Sequence, residues 1–185
     1  VCGTPCPLAY TWDGLPVLSD FSSLIAATAR WLTSAFPPNG GALAAALCDV
    51  QARQAVTVAA WLRFPTPTDA ALAGMAGSGG SVRLDWITGV EGGGEPWRSW
   101  VDEVVASWAA CLLAEPRLAE VAVSAALDGG HTAGAPMEFR RLTAPDENDR
   151  RAAALLRHPD LLDRVAGLHR AELMDLLAAG QPRAA

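Results

Sequence analysis

Lysine is absent from this chain of 185 residues, and all fourteen of its basic residues are arginine. Without a lysine ammonium there is no Schiff-base nucleophile, no pyridoxal phosphate anchor, no P-loop lysine and no kinase-type phosphate lysine. Scarce Lys, Ile and Asn beside abundant Arg, Ala, Gly and Pro is the residue bias of GC-rich coding, yet the chemical exclusion holds whatever its origin.

Charge is also thin. Charged residues make up 18% of the chain, against about 25% in ordinary soluble domains, and the formal net charge is −6. An acidic chain without a broad basic face is a poor nucleic-acid ligand, so no nucleic-acid partner is expected. The doublets Arg140-Arg141 and Arg150-Arg151 sit beside Glu138, Asp146, Glu147 and Asp149, which reads as a mixed, solvated surface. Long apolar runs are missing. Stretches such as Val58 to Leu62 fall far short of the ~20 residues a membrane helix needs, and no membrane span is expected. No basic segment followed by an apolar one opens the chain, so the expectation is a soluble cytoplasmic protein without a signal peptide.

Catalytic signatures are missing too. The sequence holds no G-x-S-x-G, H-E-x-x-H or G-x-G-x-x-G and no His/Cys/Asp/Glu cluster at metal-ligand spacing, so neither metal nor cofactor is expected. Gly92-Gly93-Gly94 before a helix would suit an anion, but Glu91 and Glu95 flank it and repel one.

What is present is hydrophobic: 51% of residues, enough for a substantial single core. Residues 1–92 carry only four arginines and six acids, whereas residues 93–185 carry ten and fourteen. The first half therefore lies mostly in the core or offers an apolar surface to a partner. Of the four cysteines, Cys48 and Cys111 fall in apolar helical patterns and read as small core residues. Cys2 and Cys6 flank a proline, and their pairing stays open.

Read along the chain, residues 1–18 form an extended arm and 181–185 a tail around a single domain over 19–180. Helices are expected over 19–36 and 42–54, with a short one at 68–75. Four period-two runs then suggest strands: Val56 to Phe64, Val82 to Trp86, Val121 to Leu127, and Met137 to Arg141. The first and third contain enough alanine to be helix instead, and that choice stays open. A helix from Glu95 to Leu113 carries Trp97, Trp100 and Trp108 on one face. Another starts near Thr143 and runs to about Arg157, and a last one begins at Pro159 and ends before Gly180. The fold expected is therefore α+β: two hairpin-like pairs of antiparallel strands covered by amphipathic helices.

Two functional readings follow. Seven tryptophans among twelve aromatic residues is a skewed ratio. Trp97, Trp100 and Trp108, extended by Trp61 and Trp86, would make a binding surface or an aromatic-lined pocket. On that basis the expected function is non-catalytic: binding or assembly through a sparsely charged, Trp-rich surface, with a second copy or another protein as partner. An apolar small molecule is a further ligand for the same tryptophans. The alternative is a small acid/base enzyme, in which His131 on a Gly-rich loop works with Asp128 or Glu138. His158 reads as a helix cap or solvent-facing residue, and His169 as a histidine on an apolar helix face.

Overall fold

A computed structural model describes residues 21–77, 79–129 and 138–180. Ten α-helices and one 3-10 turn make up the described chain. They are α1 (Ser22–Ala35), α2 (Ala42–Arg63), α3 (Pro67–Ala76), α4 (Val82–Thr88) and the 3-10 turn (Pro96–Trp100). After the turn come α5 (Glu103–Ala114), α6 (Pro116–Asp128), α7 (Arg140–Thr143), α8 (Glu147–Ala152), α9 (Pro159–Ala166) and α10 (Arg170–Gly180). The described residues contain no strand, so the α+β expectation is wrong: this is an all-helical fold.

Two helices form its axis. α2 packs on α5, α1, α6, α7 and α8, while α5 packs also on α9, α6 and α10. Every residue from Gln54 to Ala60 of α2 and from Val105 to Leu113 of α5 is buried. A helix buried all round needs no polar face, so its hydrophobic stripe disappears from the sequence. Alanines at 52, 55, 59 and 60 of α2 and at 106, 109 and 110 of α5 keep both surfaces low, which lets helix axes approach closely.

That burial explains the misread strands. In Val56 to Phe64, Thr57 occupies an apparently polar position but donates its hydroxyl to the Arg53 carbonyl at 2.7 Å, within its own helix. The run Val121 to Leu127 lies in α6, whose buried stripe is Leu118, Ala119, Ala122 and Ala126. Alanine carried the true 3.6 period there, while Val121 and Leu127 face out. Val82 to Trp86 is α4, with Leu84 fully buried and its two neighbours in the run exposed. In the fourth run Met137 lies outside the described residues, Phe139 is buried, and Arg140 opens α7.

Several helix ends follow ordinary capping chemistry. Thr66 and Asp69 form a reciprocal capping box at α3, and Asp146 and Asp149 form another at α8. Asp102 caps α5 by accepting the Val105 N–H at 3.0 Å. This cap splits the helix expected from Glu95 to Leu113: Pro96–Trp100 is a separate 3-10 turn, and Val101 and Asp102 are extended. The helix expected after Thr143 is likewise divided, because α8 ends at Ala152 and residues 153–157 are turns. Cys48 and Cys111 are free and buried, and burial pushes the Cys48 thiol up to about 11. The arm (1–18) and the tail (181–185) lie outside the described residues.

Below α2, one guanidinium joins four segments. Arg157 donates from Nε to Gln51 Oε1 at 2.7 Å, from Nη1 to the Leu113 carbonyl at 2.8 Å and from Nη2 to the Arg141 carbonyl at 2.7 Å. Gln51 in turn donates to the Asp149 carbonyl at 2.9 Å. The fully buried Asp149 carboxylate receives Arg141, with Arg140 at 3.7 Å. The doublet Arg140-Arg141 is thus tied to a buried acid rather than merely solvated. Burial lowers the Arg157 pKa to about 10, so it stays charged at neutral pH.

Replacing Arg157 with methionine should strand two carbonyls and the Gln51 amide oxygen, lowering stability by about 3 kcal/mol. Arg157→Lys should recover little of that loss, because an ammonium cannot reproduce the planar three-way fork. Urea denaturation of the three proteins measures both effects.

Candidate functional site

The five tryptophans proposed as one surface differ in depth, although Trp97 and Trp100 line one cleft together. Trp108 is buried in α5 and donates to the His169 carbonyl at 3.1 Å. Trp61 is half-buried and stands edge-on to Phe139, with ring centroids 5.9 Å apart. Trp97 and Trp100 belong to the 3-10 turn, where both pack partly against the core. Trp86 alone among the five is exposed, at 85%.

Helical geometry accounts for that exposure. A strand would have placed Val82, Leu84 and Trp86 on one face. In α4, residues four apart share a face while the residue midway between them points oppositely. Leu84 therefore enters the core, and Val82 (82% exposed) stands beside Trp86 in solvent. Gly79 and Gly80 precede the helix with φ of +103° and +87°, values a side chain would strain. Gly79, Gly80, Val82, Arg83, Trp86 and Glu103 enclose an open cleft of about 670 Å³.

α4 is held firmly from below. Asp85 accepts the Trp31 indole N–H at 2.8 Å, the Ser81 hydroxyl at 3.1 Å and the Arg98 guanidinium. Burial opposes ionisation of Asp85, but the hydrogen bonds from Arg98, Trp31 and Ser81 prevail and hold its pKa below the usual carboxylate value. Gly92 abuts this carboxylate, and a Cβ there would lie 3.0 Å from Oδ2. The glycine triplet thus borders an acid.

At the other wall of the cleft, Glu103 connects to a chain of alternating charge. Its carboxylate lies 3.4 Å from Arg83 and 2.9 Å from His169 Nε2. His169 Nδ1 meets Glu172 at 3.0 Å. An imidazole flanked by two carboxylates donates to both only as the imidazolium. Burial works against that cation, but Glu172 and Glu103 outweigh it and raise the His169 pKa above its ordinary 6.5. With both nitrogens engaged, the ring offers no free base to a substrate. His169 was expected on an apolar face. It lies instead in the joint between α9 and α10, among acids, and the spacing His-x-x-Glu was the available signal.

The acid/base trio falls only partly within the described residues. Asp128 is exposed at the end of α6, Glu138 is exposed before α7, and His131 lies outside the described residues. His158 occupies the N-cap position of α9, exposed and without a side-chain capping bond. Among the described residues no group of His, Cys, Asp and Glu could hold a metal ion, and no helix is long and apolar enough to cross a membrane.

No family model matches this chain, and no curated protein or solved structure matches it either.

The raised His169 pKa fixes the sign of a pH effect. Its contribution to stability is complete below the unfolded value near 6.5 and disappears as pH rises through the higher folded value. His169→Gln should therefore lower the urea midpoint more at about pH 5.5 than at about pH 9. An equal loss at both would show that the ring acts by packing alone.

Proposed function

We propose that this protein is a non-catalytic assembly module that self-associates through the α4 face carrying Val82 and Trp86. One observation carries the reading: an indole 85% exposed, one helical turn from a valine 82% exposed, on a helix anchored by Asp85. Large aromatic residues at such positions serve as interface anchors, and a rigid support spares the ordering cost of binding. A single exposed Leu would mean little, but a fully presented Trp–Val pair beside a cleft is the kind of apolar surface that partners cover.

Charge favours a second copy as that partner. A chain of net charge −6 repels its own kind over most of its surface. At the α4 face the ionic groups are balanced: Arg83 faces Glu103, and Glu103 faces His169. Two such faces meet without like-charge repulsion, and each indole gains a cleft lined by Gly79 and Gly80 in which to seat. Engagement of both His169 nitrogens by carboxylates supports a binding role over an acid/base one.

Sedimentation equilibrium should report a dimer, and Trp86→Ser should weaken it by at least about 30-fold. The thermal midpoint of the dissociated protein should be unaffected, since Trp86 makes little of the core. A wild-type monomer at all accessible concentrations would refute self-association.

A further inference from the structure

A second cleft, separate from the α4 face, lies where α1 meets the 3-10 turn. Ser23, Ala26 and Arg30 of α1 face Trp97 and Trp100 across a space of about 320 Å³. That is at the lower end of small-ligand cavities, roughly 300–1,000 Å³. Ala26 presents only a methyl group, so α1 leaves room above the two indoles.

Two guanidiniums lie over the Trp97 ring, Arg30 at 5.4 Å and Arg98 at 5.3 Å from its centroid. Their situations differ. Arg98 is committed to the Asp85 carboxylate. Arg30 has neither an acidic partner nor a side-chain hydrogen bond among the described residues, and it stands at the cleft. Glu95, the acid on the near side of the turn, is engaged by the Trp97 indole N–H. The cleft therefore joins an uncommitted cation to a flat aromatic wall in a chain that is otherwise acidic.

We propose that this cleft binds a small aromatic carboxylate. The carboxylate accepts the paired N–H groups of Arg30, with the Ser23 hydroxyl beside it, and the ring of the ligand lies against Trp100, next to the guanidinium-covered Trp97. A guanidinium fork matches a carboxylate bidentately. Phosphate is disfavoured by the single available cation and by walls that are largely indole and methyl. Arg30 already stacked on Trp97 is pre-oriented, which reduces the rotamer entropy lost on binding.

Calorimetric titration with 2-naphthoate, and with 2-naphthylmethanol as its neutral counterpart, tests the assignment. We expect saturable one-to-one binding of the acid, at least about tenfold tighter than the alcohol, and loss of that preference in Arg30→Gln. Trp86→Ser should leave it intact, which separates this site from the self-association face. No saturable binding of 2-naphthoate overturns the proposal, as does equal affinity for acid and alcohol, or an Arg30→Gln variant that retains the preference. The acid–alcohol comparison on the unaltered protein decides the matter even if the variant does not fold.

Discussion

Where α2 packs on both α5 and α7, backbone carbonyls and a side-chain amide leave water together. Helix ends carry unsatisfied acceptors, and the C-terminal end of α5 points its partial negative charge inward. The Arg157 guanidinium reaches the Leu113 carbonyl, the Arg141 carbonyl and Gln51 at once. Through Gln51 the same connection extends to the Asp149 carbonyl, and Asp149 holds Arg141 in turn. The close packing of α2 on α5 presupposes this arrangement, since both helices run their buried faces into the region that it serves. A chain built only with arginine as its strong base is well suited to such a position. The guanidinium keeps its charge despite the drop caused by burial, where an amine starting near 10.4 would be brought towards neutrality.

Helices whose buried face alternates with a wet one were readable. α1 follows its apolar stripe and stops before Pro37-Pro38, and α9 starts at Pro159. The centre of the fold was not readable for a physical reason. From Gln54 to Ala60 of α2 every position is buried, so apolar residues there fall on any period one cares to test. Valine and threonine there imitate a strand, although the Thr57 hydroxyl is satisfied within the helix. In α6 the stripe beyond Leu118 is alanine, which hydropathy scarcely distinguishes from surface residues, and Val121 and Leu127, which seemed to mark a face, lie outside it.

The site was legible in part and for mixed reasons. Trp86 was named from the sequence as a member of a group that the structure separates by depth, from the buried Trp108 to the exposed Trp86. Its exposure depends on the helical rotation of α4, which a strand reading reverses. Glu103 and His169 are 66 residues apart, and only the packing of α4 and α9 about the start of α5 brings them together. Arg30 differs from Arg98 only in what lies opposite, which no local pattern reports.

Ser107 has a consequence for the last two helices. Its hydroxyl donates to the Ala166 carbonyl and accepts the His169 N–H, both at 3.0 Å, and the Cys111 thiol shares the same carbonyl at 3.4 Å. Those backbone groups would otherwise serve one continuous helix from Pro159 onward. α5 thus intercepts a rung of its neighbour's ladder and inserts its own hydroxyl as the spacer. The direction in which α10 leaves α9 is accordingly set by a residue some sixty positions earlier in the chain. The bend is encoded on a different helix from the one that bends.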